Sequence, residues 1–156
     1  MEYEGMSMTE KEMWRSCCAQ NGIPEETPYE AWPFCGGGPG ADELAELARA
    51  GSKTATSSMV LSFRREGAPL PQAGNYSVIL YANGEAACVL RDTRVTVCPF
   101  NEVPAEHAWR EGEGSRTLEE WREIHRRAFA PDYRAAGLEW DEAGQCVLEE
   151  FECIYP

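Results

Sequence analysis

Gly51-Ser52-Lys53-Thr54-Ala55-Thr56 joins a stretch of helical periodicity to a stretch of strand alternation, and its reading decides the fold. Upstream, Ala41 to Ala50 sets Leu44, Leu47 and Ala48 on one helical face, and Gly51 suits the left-handed position just past a helix end. Downstream, Ser57 to Arg64 alternates Met59, Leu61 and Phe63 against Ser58, Ser62 and Arg64, which predicts a strand. Lys53 itself is unusual. The chain carries 12 arginines but only two lysines, and one of these stands here among hydroxyls. An ammonium is a compact charge whose pKa shifts readily on burial, whereas a guanidinium stays charged. The placement points to chemistry or to a specific anion contact. The competing reading is a solvated lysine at the start of a Thr-rich strand.

Working outward, Ser7 with Glu10 and Thr9 with Glu12 both show capping-box spacing. Met13, Trp14, Cys17 and Cys18 then form an apolar helical stripe that Asn21-Gly22 stops. Pro24 to Gly40 reads as loop, holding Trp32-Pro33-Phe34 and Gly36-Gly37-Gly38 without the trailing Lys-Ser/Thr of a phosphate-cradling motif. Gly67-Ala68-Pro69-Leu70-Pro71 breaks the strand that follows Lys53. A hairpin comes next: Tyr76 to Tyr81, the turn dipeptide Asn83-Gly84, and a return from Ala86 to Leu90 that runs on to Pro99. An arm of that length implies a curved or bulged strand of a small barrel. Glu102 to Arg116 reads as a polar connection. Thr117 and Glu120 open a third helix whose inward face is Leu118, Trp121, Ile124/His125 and Ala128/Phe129, and Val147 to Tyr155 forms the last strand. The expectation is an α+β fold, a small mixed or antiparallel β-barrel flanked by about three helices. It is read as one domain over 1–156, with residues 1–30 a helical extension and 31–156 the core.

Composition narrows the function classes. At 156 residues with 43% apolar content the chain can bury a substantial core. A net charge of −13 disfavours sequence-independent coating of nucleic acid, which rests on Lys and Arg neutralising phosphates. No apolar run approaches the roughly 18 residues a membrane span requires. Met1 to Met8 is polar with no apolar leader core, so the cytoplasm is expected. None of the seven cysteines forms a C-x-x-C pair, so neither structural zinc nor any other metal or cofactor is expected. Their odd number, without a leader, argues for reduced thiols.

Several residues could carry chemistry. Thr56 is a weak nucleophile until a base takes its proton, and a neutral amine at Lys53 could serve. Glu111 and Glu113, set between glycines, could supply a carboxylate for acid/base work, or form an acidic loop ahead of a helix dipole. His125 shares a face with Trp121, as a ligand contact at a pocket edge or as a core histidine. Arg116 is a candidate clamp for phosphate or carboxylate, and Trp32 and Phe34 are candidates for base stacking or for anchoring their loop. Thr54, beside Lys53, is counted with the ligand contacts.

Taken in order, these segments resemble the ASCH domain family, whose fold is related to the PUA domain. The resemblance runs from Trp32-Pro33-Phe34 through Ala41-Asp42-Glu43-Leu44-Ala45 and the Lys53 motif to Pro71-Gln72-Ala73-Gly74-Asn75-Tyr76-Ser77-Val78 and Pro99-Phe100. It continues in Glu111-Gly112-Glu113-Gly114, Leu118-Glu119-Glu120-Trp121-Arg122-Glu123-Ile124-His125 and Phe151-Glu152-Cys153-Ile154-Tyr155-Pro156. It implies a bacterial ASCH domain with a cleft for a nucleoside or nucleotide. Some shorter relatives look like amidohydrolases that remove acyl groups from the exocyclic nitrogen of cytidine, using a lysine, a threonine three residues later and a distant glutamate. Lys53 and Thr56 fit that spacing, and the glutamate falls on Glu111 or Glu113. The alternative implied is a PUA-like module that binds, or cleaves, short single-stranded RNA, with Lys53 and Arg116 on phosphate. The chain departs from the family pattern at Ser115, where an aspartate is usual, and in Phe34-Cys35-Gly36-Gly37-Gly38, where an aromatic-glycine step is usual.

Overall fold

The computed structural model describes residues 7–156. The leaderless reading of residues 1–8 therefore lies, for its first six positions, outside the described residues. The elements are α1 (Glu10–Asn21), β1 (Glu30–Pro33), α2 (Ala41–Ala50), β2 (Ala55–Met59), α3 (Val60–Glu66), β3 (Tyr76–Leu80), β4 (Ala86–Pro99), α4 (Ala105–Glu111), α5 (Leu118–Ala135) and β5 (Gln145–Tyr155). The five strands follow the order β1-β3-β4-β5-β2. β1 is parallel to β3, whereas β3–β4 and β2–β5 are antiparallel, so the sheet is mixed as expected. Among the described residues no helix is long and apolar enough to cross a membrane.

The chain divides into two compact units. The first gathers residues up to Ser52, Gly74–Arg91 and Glu152–Pro156. In it, α1 starts as its sequence directs: the Thr9 hydroxyl accepts from the Glu12 amide while the Glu12 carboxylate accepts from the Thr9 amide. The Met13, Trp14, Cys17 and Cys18 stripe packs with Val78, Ala86 and Val89. α2 has the expected bounds, and Gly51 takes the left-handed cap at φ 83°. Its fully buried residues are the small ones, Ala41, Ala45 and Ala48, because these allow close backbone approach; Leu44 and Leu47 are half-buried. The expected loop from Pro24 to Gly40 contains β1 and a one-turn 3-10 helix, Phe34–Gly37. A four-residue strand ending in proline shows no alternation long enough to read.

The second unit comprises Lys53–Ala73 and Asp92–Phe151. Its core joins Met59, Phe100, Val103, Ala108, Trp121, Tyr133, Cys146 and Leu148. Two expectations are corrected here. The predicted strand from Ser57 to Arg64 begins at Ala55, stops at Met59 and gives way to α3. Met59, Leu61 and Phe63 satisfy alternation, but Val60 and Phe63 also share a helical face, and a run this short fits both periods. The polar connection from Glu102 to Arg116 contains α4. With α3 and α4 the α-helices among the described residues number five, against about three expected. α5 is capped by Thr117, whose hydroxyl accepts from the Glu120 amide. The Glu120 carboxylate does not return to the cap; it accepts from the Ser115 amide at 3.1 Å.

Candidate active site

α4 and the segment entering β2 bring the site together within the second unit. Alternation along β2, read with its register against β5, puts Ser57 and Met59 on the face of Leu148 and Cys146, while Thr56 and Ser58 share the other face with Glu149 and Val147. α4 is tied to the start of β2 by the Thr54 amide, which donates to the Arg110 carbonyl at 2.8 Å. The last residue of α4 is Glu111, and Gly112 ends the helix in the left-handed conformation at φ 72°.

Glu111 is fully buried, and both its oxygens are engaged. Oε2 accepts from the Ser57 hydroxyl at 2.8 Å, from His107 Nε2 at 2.8 Å and from the Trp121 indole at 2.6 Å. Oε1 faces Lys53 Nζ at 3.4 Å and His125 Nε2 at 3.3 Å. Burial alone would raise the Glu111 pKa, but the Lys53 charge and the hydrogen bonds from His107 and His125 hold it well below its ordinary 4.5. Glu111 is thus an ionised anchor, with no lone pair positioned for a substrate.

Lys53 is 1% exposed. Its ammonium lies 3.3 Å from the Glu111 carbonyl, 3.4 Å from Glu111 Oε1 and 3.8 Å from Glu113 Oε1. The Glu113 side chain retains 19% exposure, so of the two carboxylates it is the one a ligand can reach. Its other oxygen lies 3.8 Å from His125 Nε2.

His125 is sandwiched by geometry and charge. Its ring stacks on Trp121 with centroids 4.3 Å apart. Nδ1 lies 2.7 Å from the Trp121 carbonyl, which can only accept, and Nε2 faces two carboxylates, so both nitrogens carry hydrogens. Burial opposes that charge, yet the hydrogen bond to Glu111, then the charges of Glu111 and Glu113, hold the His125 pKa above its ordinary 6.5. The consequence for stability has a defined sign. A raised folded pKa contributes stability that is complete below pH 6.5 and is lost as pH rises through the folded value. Urea unfolding followed from pH 6 to 9 is expected to show this decline in the wild type. A His125→Gln variant should lose the decline, and an identical slope in both would contradict the assignment.

Glu111, Glu113 and His125 bring potential ligand atoms within 4.8 Å of one another, the spacing of a cation site. The positive charge there is supplied by the Lys53 ammonium and the His125 imidazolium, which together balance the two carboxylates.

The expected site residues are therefore partly gathered. Lys53, Glu111, Glu113, Trp121 and His125 meet, whereas Thr56 lies on the other face of β2 and its hydroxyl bonds to none of them. The Thr54 hydroxyl lies 3.4 Å from the Arg110 carbonyl. The Arg116 guanidinium lies over the Trp109 ring, 3.9 Å from its centroid, with Nε donating to the Trp109 carbonyl. Trp32 and Phe34 belong to the first unit, where their rings pack edge to face at 5.1 Å. Sequence reasoning missed Ser57 and His107. His107 and Glu111 are four apart, a pairing that becomes visible once α4 is recognised as a helix.

A crystal structure of an ASCH domain from Lactobacillus crispatus JV V101 superposes with a TM-score of 0.87 at 28% identity, covering 100% of both chains. The crystal structure of a protein from Enterococcus faecalis V583 superposes at 0.81 with 29% identity, covering 90% of this chain and 85% of that one. A hypothetical protein, 18% identical with a TM-score of 0.52 over 80% of this chain and 97% of its own, shares the fold alone. No curated protein matches the chain. The ASCH domain model matches residues 30–155, which takes in every element from β1 to β5 and all of the site: the chain belongs to the ASCH domain family, with its PUA-like α+β fold.

Proposed function

We propose that the chain hydrolyses an amide on a nucleoside-like small molecule, acylated cytidine being the substrate class, with Lys53 and Glu113 as the working pair. One observation supports this above the others: a fully buried lysine held by the saturated Glu111 and lying 3.8 Å from Glu113, which a ligand can still reach. Buried charge is costly unless paired, and perturbed ionisable groups gathered beside a reachable carboxylate are a feature of functional sites. In this scheme Glu113 takes a proton from water as the water attacks the carbonyl carbon. Lys53 and His125 stabilise the negative charge that develops on the carbonyl oxygen. The C–N bond then breaks, the proton passes from Glu113 to the departing nitrogen, and cytidine and the free acid leave.

Water is the nucleophile in this scheme because Ser57 already donates its proton to Glu111 and Thr56 lies on the other face of β2. The resemblance assigns that role to Thr56. Turnover of N4-acetylcytidine by Thr56→Ala separates the two: retained turnover assigns water, and abolished turnover in a folded protein assigns Thr56. The fold family's association with RNA supports a second reading, the binding of short single-stranded RNA, and one observation favours it. Trp109 is 57% exposed beneath the Arg116 guanidinium, a surface on which a base can stack. Under this reading, affinity for a short oligonucleotide should fall steeply with salt, because phosphate contacts release counterions.

A further inference from the structure

The connection from α4 to α5 is short and glycine-rich, and it carries Glu113, the reachable carboxylate. Such a connection is expected to be loose, yet this one is tied at several points. The Trp109 carbonyl accepts twice, from the Gly112 amide at 3.1 Å and from Arg116 Nε at 2.8 Å. The Arg116 amide donates to the Glu113 carbonyl at 3.0 Å, closing a tight turn around Gly114 and Ser115. Arg116 holds this geometry in the left-handed region at φ 61°, which side chains other than glycine adopt at a cost. Its guanidinium is then stacked on Trp109. From the other side Glu120 Oε1 accepts from the Ser115 amide at 3.1 Å, and it approaches Gly114 so closely that a Cβ there would lie 1.8 Å from it. Gly114, at φ 56°, is the residue that permits both the turn and the approach.

We infer that Arg116 and Glu120 are positioning residues: they hold the connection at 112–116 closed so that the Glu113 carboxylate stays beside Lys53 and His125. The strain at Arg116 fits this role, since a backbone held in a costly conformation persists only where its surroundings enforce it. The catalytic consequence rests on the reading of Glu113 as the acid/base, whereas the positioning itself does not. Arg116 acts through the backbone of Glu113 and through Trp109.

The test reads the position of Glu113 without requiring turnover. The chain has two histidines, so the imidazole signals of His107 and His125 are separable by NMR. His125 is faced by Glu111 from α4 and by Glu113 from the connection, both of which also face Lys53, and by Trp121 on its own helix. Glu113→Gln should lower the His125 titration midpoint, and it sets the scale of the effect. Arg116→Ala is expected to lower the midpoint by a similar amount, because the carboxylate is no longer held within reach. Arg116→Lys should fail to rescue it, since an ammonium offers neither the stacked plane nor the Nε donor. Glu120→Ala opens the turn from the other side and should shift the midpoint in the same direction. A His125 titration in Arg116→Ala that matches the wild type overturns the inference, as does a Glu113→Gln variant with no shift. In the second arm, Arg116→Ala is expected to lower kcat on N4-acetylcytidine about tenfold with KM within about twofold. Absence of turnover in the wild type refutes the amidase reading, and the titration still decides the positioning.

Discussion

Glu111→Ala is expected to destabilise the protein by about 3–5 kcal/mol, the cost of removing one partner from a buried, hydrogen-bonded ion pair. For a domain of this size that corresponds to a melting temperature lower by about 10 °C. The magnitude follows from what the carboxylate holds. Ser57, His107 and Trp121 lose the acceptor at Oε2, and Lys53 and His125 lose the nearer of their two counter-charges at Oε1. At 1% exposure Lys53 cannot turn to water for replacement solvation. Removing the positive partner as well should recover part of the loss, so Lys53→Met with Glu111→Leu is expected to be more stable than Glu111→Ala alone. Urea unfolding of the wild type and these two variants measures both effects. A Glu111→Ala variant as stable as the wild type would show that the cluster is not closed around this carboxylate.

Glu113→Gln is expected to do the reverse: a small effect on stability and a large one on rate. Its side chain is partly solvated, its Lys53 and His125 contacts are both 3.8 Å, and Glu111 remains to neutralise the two cations. Stability should change by less than about 1 kcal/mol, as for other partly exposed ion pairs. Turnover should fall by about 10²–10⁴, the contribution of a positioned general base, with KM little changed. Lys53→Met should cost about 10²–10³ in kcat through lost stabilisation of the developing oxyanion. It should also destabilise, because Glu111 keeps its remaining donors but loses the Lys53 ammonium, one of the two cations at Oε1, so its kinetics belong well below its melting temperature.

The sequence makes the frame of the fold legible wherever a local rule is sharp. Thr9 and Thr117 mark two helix starts, Gly22 and Gly51 two helix ends, and Asn83-Gly84 the hairpin turn; each stands where its chemistry directs. Legibility fails where elements are short and tertiary contacts decide. Ala105 to Glu111 looks like an acidic loop because it offers no apolar stripe: its one large apolar residue, Trp109, is exposed. Its buried face is made of His107, Ala108 and Glu111, and only the packing of the last against Lys53 reveals a helix. The same error hid His107. Ser57 is hidden because the family spacing points to the threonine three residues after Lys53, whereas strand alternation favours the residue four after it. The two glutamates flanking Gly112 were indistinguishable in sequence. Burial separates them: Glu111 closes α4 into the core, and Glu113 lies past the glycine on the turn toward solvent.

The most direct measurement is a single-turnover assay of N4-acetylcytidine with wild-type protein and Glu113→Gln, following release of acetate and cytidine at neutral pH. The expected result is stoichiometric hydrolysis by the wild type and a rate at least about 100-fold lower for Glu113→Gln at unchanged stability. Hydrolysis by Glu113→Gln at the wild-type rate, or no hydrolysis by a folded wild type, would contradict an acid/base centre built on Lys53 and Glu113.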